Sequence, residues 1–285
     1  MSTNEEIALA LPTPTFDHVV VNCRDRLDDG AEAYRRLGFT LTPRGYHSLG
    51  SINHLAIFGT DYLELIGARP DGERQEITGD QFGLNGLVFG TENSTDVYAA
   101  LVAAGVQATP PDEFTRPVTL PDGDQAATFR TVHLQPPEGR PGRLYFCHHF
   151  TRHLVWRDEW RQHANGAVAV LRAVIASDNP SILAALFARM FGDETVHSAG
   201  AGVRLVVGAG AIDVLPHASV AELLGDAAGD AAGRSHYMAL LTLRTRNLAT
   251  TRSALASGNV AVISEADRVI VSASAAMGCP IEFVG

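Results

Sequence analysis

The sequence predicts an α+β fold in which four β-α-β-β-β modules form two halves. Three observations lead to this prediction. The order of one strand, one helix and three strands recurs four times along the 285 residues, and such self-similarity is the sequence signature of a repeated structural unit. The chain is 46% apolar, which is enough to bury a sizeable core. A polar segment with both tryptophans, residues 151–166, separates the second module from the third.

The first module begins with a strand and continues into a helix over residues 28–37. Ala31, Tyr34 and Leu37 mark the apolar face of this helix, and Gly38 is placed to end it. The strands of the module are predicted at FDHVVVNC, FTLTP, NHLAIFG and DYLELIG.

The second module follows the same order with one addition. It opens at the strand NGLVFGT and has a helix from Ser94 or Thr95 to Ala104, before Gly105. A long proline-rich insertion comes next, and the closing strands are ATFRTVHLQ and RLYFCHHF.

The third and fourth modules carry clear helix signals. In the third, Asp178 or Asn179 is the cap, Pro180 occupies the first helical position and Gly192 follows the helix. The fourth has its helix over residues 248–257. The strands are predicted at AVAVLRAVIAS, VRLVVGAG and AIDVLPH in the third module, and at SHYMALLTL, RVIVSAS and CPIEFVG in the fourth.

A single module has an open, half-covered sheet and cannot close a core alone, so the modules must pair. We therefore expect one domain over residues 1–150 with modules one and two, a linker over residues 151–166, and a second domain over residues 167–285 with modules three and four. Because the linker carries both tryptophans, it should pack on the body of the protein.

Composition argues against several classes of partner. The formal net charge of −10 disfavours nonspecific binding to nucleic acid and to an anionic membrane surface. No apolar run approaches the roughly 20 residues of a membrane span, and the segment MSTNEEIALALPTPT has acids where a signal peptide has basic residues. Cys23, Cys147 and Cys279 form no CxxC motif, which favours reduced thiols. We expect a cytoplasmic protein with a small-molecule substrate and with no nucleic-acid or membrane partner; a homodimer stays open.

One residue stands out in the strand DYLELIG. Glu64 lies among apolar neighbours, and a carboxylate in such a strand needs a cation, a hydrogen-bond donor or water. The strand alternation also predicts that Tyr62, Glu64 and Ile66 share one face.

The repeat and its first module resemble the vicinal oxygen chelate superfamily, which includes glyoxalases, bleomycin resistance proteins and extradiol dioxygenases. The resemblance covers nearly the whole chain and is closest at FDHVVVNCRD, RRLGFTLTP and YLELIG. It implies that paired modules wrap mixed β-sheets into cups, giving two glyoxalase-like halves. It also implies metal ligands on the first and last strands of a module, where His18 and Glu64 match.

A second pair is related to the first by an equal spacing. Aligning CPIEFVG with DYLELIG places Glu282 opposite Glu64, and the same shift takes His18 to His236, so both pairs are 46 residues apart. His18, Glu64, His236 and Glu282 are therefore expected to bind one metal ion, with Glu64 or Glu282 as the catalytic base.

This ligand set predicts a divalent cofactor. Imidazole and carboxylate suit Zn, Ni, Mn or Fe(II), and open coordination positions would accept paired substrate oxygens and polarise a carbonyl. The resemblance thus implies a metal-dependent lyase or isomerase that acts by chelation and proton transfer. An extradiol-type dioxygenase, or a metal-free protein that binds small molecules, is the alternative. In the structural alternative, the histidines are half-exposed and the glutamates pair with arginines such as Arg24 or Arg244.

The pairing of the modules decides which ligands meet. If module one pairs with module two, His18 and Glu64 meet Asn85 and the CHH stretch, whereas pairing with module four brings all four ligands together. The ligand inventory favours one with four.

Four further residues are candidates for binding an anionic substrate. Arg44 and His47 lie on a glycine-rich loop, Arg116 lies in the second module's insertion, and His149 ends that module. Arginine gives a bidentate grip on carboxylate. The alternative for Arg44, His47 and Arg116 is that they are solvated loop residues.

Overall fold

The computed structural model describes residues 11–69, 75–120, 123–135 and 140–285, so most of the N-terminal segment discussed above lies outside it. Within those ranges the first half contains β1 (Phe16–Asn22), α1 (Leu27–Arg36), β2 (Gly45–Tyr46), β3 (Ser51–Ile57), β4 (Tyr62–Ala68), α2 (Gln75–Gly79), β5 (Gly83–Gly90), α3 (Ser94–Ala103), β6 (Asp112–Leu120), β7 (Gly123–His133) and β8 (Arg143–His149). The second half contains β9 (Ala167–Ser177), α4 (Pro180–Phe191), β10 (Val196–Ala199), β11 (Gly202–Val207), β12 (Gly210–Leu215), α5 (His217–Leu224), β13 (His236–Thr245), α6 (Leu248–Ser257), β14 (Val262–Ser264), β15 (Arg268–Val271) and β16 (Ile281–Val284).

The strands form two eight-stranded mixed sheets with the same internal order. The first sheet runs β2-β3-β4-β1-β5-β8-β7-β6 and the second runs β10-β11-β12-β9-β13-β16-β15-β14. In each sheet the first and last strands of a module pair in parallel, and the two modules join through antiparallel first strands. The prediction of four modules in two glyoxalase-like halves with cupped sheets is confirmed.

Module one pairs with module two, so the preference for pairing with module four is wrong. The backbone ladder between β1 and β5 joins modules that are neighbours in the chain, with Val19 opposite Leu87 and Val20 opposite Gly86. Sequential elements usually lie side by side because short connections favour it. An inventory of side chains says nothing about that preference.

The predicted helices form close to their predicted bounds. Asn179 caps α4 by accepting a hydrogen bond from the backbone of Ser181, and Pro180 opens the helix. Helix α6 has the predicted bounds, whereas α1 starts and ends one residue earlier than predicted.

Several elements differ from the prediction. The short elements β2, α2, β10 and β14 were not predicted. The segment FTLTP forms no strand: the backbone N–H of Thr42 bonds to Leu55, and Pro43 has no N–H to extend the ladder. The proline-rich insertion contains β6, an edge strand, where Pro117 is tolerated. Helix α5, after β12, was not predicted.

The two sheets share one apolar core. Phe39, which follows α1, stacks on Phe283 of β16 with ring centroids 6.2 Å apart, and Phe89 of β5 contacts Phe191 of α4 at 5.1 Å. All four rings belong to one continuous cluster of buried residues. The halves are therefore packed against each other through their interiors.

The segment between the halves also packs on the body. Trp156 is 8% exposed and contacts Tyr62 at 5.3 Å between ring centroids. His163 accepts a hydrogen bond from the backbone of Thr40 and donates one to the carbonyl of Ile57. Both ring nitrogens of His163 thus hold this segment to the first half.

Alternation along β1 sorts its side chains between two environments. Val19 and Val21 enter the shared core, whereas His18 and Val20 face the other side of the first sheet. That second face positions the candidate site. No helix in the described part of the chain is long and apolar enough to cross a membrane.

Candidate active site in the first sheet

The face of the first sheet turned away from the shared core encloses a cavity of about 300 Å³, which we call the cup. It is lined by His18, His47, Leu49, Ser51, Asn53, Leu55, Tyr62, Glu64, Ile66, Asp112, Phe114, Arg116, Phe129, Thr131, His133, Arg143, Tyr145 and Cys147. Tyr62, Glu64 and Ile66 all line it, as alternation along a strand predicts.

The parallel pairing of β1 with β4 brings His18 and Glu64 together. In this register His18 faces Tyr62 and Val20 faces Glu64. The rings of His18 and Tyr62 stack with centroids 4.4 Å apart, and Nε2 of His18 lies 3.6 Å from Oε2 of Glu64. Both side chains are almost completely buried.

Asp17 fixes the protonation of His18. Its Oδ1 lies 2.6 Å from Nδ1 of His18 and 2.9 Å from Nε2 of His149. An ionised carboxylate only accepts hydrogen bonds, so Nδ1 of His18 and Nε2 of His149 must each carry a proton. When His18 is neutral, its Nε2 therefore presents a lone pair to the cup.

Asp17 is ionised because the two neighbouring histidines stabilise its carboxylate. Burial acts to raise the pKa of Asp17, but the nearby His149, together with hydrogen bonds from His149 and His18, holds that pKa well below its usual range. A carboxylate behind an imidazole is a common device for orienting a metal ligand.

Asn53 supplies the donor that Glu64 needs. The Nδ2 group of Asn53, on β3, donates to Oε1 of Glu64 at 2.6 Å. Oε2, the other carboxylate oxygen, is directed towards His18. Glu64 is thus held at one oxygen and leaves the second for chemistry in the cup.

Tyr145 closes the group from the far side of β5. Its hydroxyl lies 3.0 Å from Nε2 of His18 and donates to that lone pair. Gly86 on the intervening strand allows the approach, because a Cβ there would lie 2.7 Å from the Cβ of Val20. Burial raises the pKa of Tyr145 well above its usual value, so the phenol stays a proton donor.

Arg116 contributes a buried positive charge to the cup. It is 4% exposed, and no carboxylate of the described residues lies within ion-pair distance of it. Its Nε has no hydrogen-bond partner. Burial lowers the pKa of Arg116, but a guanidinium stays charged in proteins. A buried, unpaired guanidinium is costly, so it calls for an anion.

Two sets of donor atoms could hold a cation, and His18 belongs to both. One set faces the cup through Nε2 of His18 and the carboxylate of Glu64. The other comprises Asp17, His18 and His149, whose ligand atoms lie within 4.8 Å of one another. Imidazole and carboxylate suit a borderline divalent ion in either set. Only the first set opens onto the cup with Arg116 in it.

Comparison with known proteins places this arrangement in a family. The sequence model of the family described as "Glyoxalase-like domain" matches residues 16–191, which is more than half of the chain. The chain belongs to this family. The expected relation to the vicinal oxygen chelate superfamily is confirmed. No curated protein matches the sequence.

Solved structures share the glyoxalase-like fold at low identity. A hypothetical protein from Staphylococcus aureus has a TM-score of 0.67 and 11% identity, over 95% of this chain and 98% of that chain. A mutant 4-hydroxymandelate synthase from Streptomyces coelicolor has a TM-score of 0.59 and 12% identity, over 96% of this chain and 93% of that chain. A xylose isomerase-like TIM barrel/4-hydroxyphenylpyruvate dioxygenase fusion protein has a TM-score of 0.57 and 13% identity, over 96% of this chain and 49% of that chain. At these identities the likeness shows the fold alone.

The structure does not bring His236 and Glu282 to the cup. Glu282 accepts hydrogen bonds from Arg172 at 2.8 Å and from Thr242 at 2.7 Å, and Arg268 lies 3.3 Å away. His236 lies next to Ser177 at the start of β13. Arginines do partner Glu282, although neither is one of the two named from the sequence.

The equivalence of His236 with His18 is wrong. On β13 the residue opposite Glu282 is Thr242, as Val20 is opposite Glu64 on β1. Two residues before Thr242 stands Leu240, which is therefore the counterpart of His18. His236 precedes Leu240 on β13, and the chain from Leu240 to Glu282 is shorter than the chain from His18 to Glu64 by the same number of residues. These two differences cancel, which gives the equal spacing of 46 residues.

The four predicted substrate-binding residues have different positions. His47 and Arg116 line the cup. His149 is bound to Asp17, behind His18. Arg44 forms an ion pair with Asp28 at the surface and does not line the cup.

Three residues of the site were not found from the sequence. Asp17 precedes His18 directly, and an acid beside a candidate ligand is a weak signal that was available. Asn53 and Tyr145 reach the site only through strand pairing. No local pattern marks them.

Proposed function

We propose that the protein is a metal-dependent enzyme of the glyoxalase type that acts on a small, oxygen-rich carboxylic acid in the cup. The observation that carries this is the combination of His18, Glu64 and Arg116 on one cavity. The first two residues are donors for a divalent ion, and the third is a binding group for a carboxylate.

The donor set fits a divalent ion. Asp17 directs the lone pair of His18 into the cup, and Asn53 holds Glu64. A bound ion would polarise a substrate carbonyl. That polarisation would make a C–H group next to the carbonyl acidic enough for proton transfer.

The side chains of the cup supply the remaining functions. Arg116 grips the substrate carboxylate with two N–H groups. Glu64 would detach from the ion to accept the substrate proton at Oε2, because Asn53 already occupies Oε1. Tyr145 donates a hydrogen bond to an oxygen that gains charge, and the stacked rings of Phe114 and Phe129 exclude water.

The metal proposal is tested with two matched pairs of variants. After removal of metal and reconstitution with Zn, Mn, Ni or Fe(II), metal content is measured by elemental analysis. His18→Ala and Glu64→Gln should lose bound metal, whereas His236→Ala and Glu282→Gln should retain it. Equal retention in all four variants would overturn the proposal. Loss in His149→Ala together with retention in Glu64→Gln would move the ion to the Asp17 set.

The proton-transfer proposal has its own readout. Deuterium exchange at carbon next to a carbonyl is followed by NMR for a panel of small α-hydroxy and α-oxo carboxylates. We expect Glu64→Gln to lower exchange by at least 100-fold, since one general base contributes about 10²–10⁴. Arg116→Gln should raise the substrate concentration needed for half-maximal exchange. An unchanged exchange rate in Glu64→Gln rules out its role as the base.

A metal-free binding protein is the second candidate, and one observation favours it. Four aromatic rings line the cup: Tyr62, Phe114, Phe129 and Tyr145. Such walls hold flat ligands without catalysis. If the chelator-treated protein bound aromatic carboxylates as tightly as the metal-loaded protein and showed no exchange, this candidate would replace the first.

A further inference from the structure

A second cavity, of about 560 Å³, lies where the two halves meet, and we call it the cleft. Its floor is a contact between the halves, since a Cβ on Gly83 would lie 2.3 Å from the carbonyl oxygen of Gly278. The backbone N–H of Met238 donates to the carbonyl of Pro141 across it. The walls of the cleft are therefore held in place by backbone contacts.

The cleft carries an excess of positive charge. Four arginines and two aspartates line it, in a chain whose net charge is −10. No ion pair of the described residues joins any of these arginines to a carboxylate. Asp80 and Asp230 instead accept hydrogen bonds from the backbone of Gln81 and Ala232.

Two of the guanidinium groups are fixed by backbone carbonyls. Arg24 donates from Nε and Nη2 to the carbonyl of Asp80, at 3.0 and 2.8 Å. Arg234 donates to the carbonyls of Ala231 and Asp230, both at 2.7 Å. Neutral carbonyls orient a guanidinium without cancelling its charge, so both groups are pre-organised for an anion.

A buried amide that also lines the cleft lacks a hydrogen-bond partner. Asn85 is 1% exposed, and neither its Nδ2 nor its Oδ1 makes a hydrogen bond with the described residues. An unpartnered buried amide costs free energy, so its presence on a cavity wall points to a ligand that completes it. Asn85 stands at an irregularity in the β1–β5 ladder and lines the cleft rather than the cup.

We propose that the cleft binds a small organic phosphate, with its phosphate group between Arg24 and Arg234 and a donor from Asn85. A phosphate dianion accepts hydrogen bonds from several directions at once, which suits donors that come from both halves of the chain. Tyr237, Phe82 and Met238 give the organic part an apolar surface. Apart from Arg143, which lines both cavities, the site shares no described residue with the cup, and it does not depend on the function proposed there.

The test uses the full chain and three probes: adenosine 5′-monophosphate, inorganic pyrophosphate and succinate. Binding is measured by isothermal titration calorimetry at low ionic strength. We expect adenosine 5′-monophosphate to bind, and Arg24→Gln and Arg234→Gln each to weaken its binding by at least tenfold. Arg189→Gln removes the same charge from an exposed position of α4 and should have no effect.

Further variants and probes distinguish binding at the cleft from binding at the cup, and phosphate from carboxylate. Arg116→Gln should leave the affinity unchanged, since Arg116 belongs to the cup. Arg143 lines both cavities, so its substitution would not separate them. Succinate that bound as tightly as adenosine 5′-monophosphate would overturn the preference for phosphate. The site itself would be overturned if neither adenosine 5′-monophosphate nor pyrophosphate bound. It would also be overturned if wild type, Arg24→Gln and Arg234→Gln bound adenosine 5′-monophosphate equally tightly.

Discussion

At the scale of single residues, Asp17 holds the geometry of the cup although it does not line it. It accepts hydrogen bonds from His18 and His149, and Arg152 lies 3.7 Å from its other oxygen. An amide in its place would still offer an oxygen to both N–H groups but would lack the negative charge, so both hydrogen bonds would weaken. The direction of the His18 lone pair would then be held less firmly.

Asp17→Asn should lower the free energy of unfolding of the chelator-treated protein by about 2–3 kcal/mol at pH 7, the typical worth of a hydrogen bond to a charged group. The folded-state pKa of Asp17 lies below its unfolded value. Its contribution is therefore present above about pH 4 and is lost as the pH falls through the folded-state pKa. Urea unfolding at pH 3 to 7 checks this. A gap between wild type and variant that widened on acidification would contradict the assignment.

Glu64 shows how far residue-level reasoning extends. A carboxylate among apolar residues of one strand indicated a buried partner, and the structure supplies Asn53 and His18. The identity of Asn53 could not be predicted, because it depends on the β3–β4 register. Glu282 has the same local pattern, yet it is neutralised by arginines on β9 and β15. The pattern predicts that a partner exists but not its chemistry.

At the scale of elements, the turn between β3 and β4 joins the first sheet to the second. Asp61 in this turn accepts a hydrogen bond from the backbone N–H of Val170 on β9 at 2.8 Å, and Gly59 donates to the carbonyl of Val168. Burial raises the pKa of Asp61 to about 7. A carboxyl at this junction is therefore protonated in mildly acidic solution.

The raised pKa predicts a pH-dependent stability. Between about pH 4 and pH 7 the folded state holds a proton on Asp61 that the unfolded state has released, so stability falls as the pH rises through this window. Asp61→Asn keeps an oxygen for Val170 and cannot ionise, so it should reduce that fall by about 2–4 kcal/mol. Thermal unfolding from pH 4 to 8 measures it, with the exposed Asp158→Asn as the control. Parallel curves for wild type and Asp61→Asn would refute the shift.

Helices were predicted better than strand register because their signals are local. Asn179 and Pro180 mark the start of α4 without reference to the rest of the chain. The register of β13 against β16 is set by non-local pairing, so the equal spacing of His236 and Glu282 was misleading. The strand β6 was missed because Pro117 is typical of a loop, although an edge strand accepts it.

At the scale of the whole molecule, the two sheets have the same strand order but different faces. The carboxylates of the second sheet, Asp213 and Glu282, are held by Arg172, Arg204 and Arg268. The first sheet leaves His18 and Glu64 on an open cavity instead. The repeat therefore conserves architecture, while the two halves differ in what surrounds their buried carboxylates.

The shared core predicts that both halves unfold in one transition. Phe283, in the second half, is fully buried against Phe39 of the first, and one apolar cluster spans both. Tryptophan fluorescence, from Trp156 and Trp160, reports on the cup wall of the first half, whereas far-ultraviolet circular dichroism reports on all strands. Because neither half can lose the shared core without exposing the other, the two signals should have coincident urea midpoints.

Phe283→Ala should move both signals together, with a loss of about 3–5 kcal/mol, because it leaves a cavity between the halves. Val206→Ala, at an exposed position of β11, is the control and should change stability by less than about 0.5 kcal/mol. If the circular dichroism midpoint shifted while the tryptophan fluorescence midpoint stayed in place, the halves would be independent folding units. The contact between Phe39 and Phe283 would then join two stable domains, and the cleft would lie at an interface able to open.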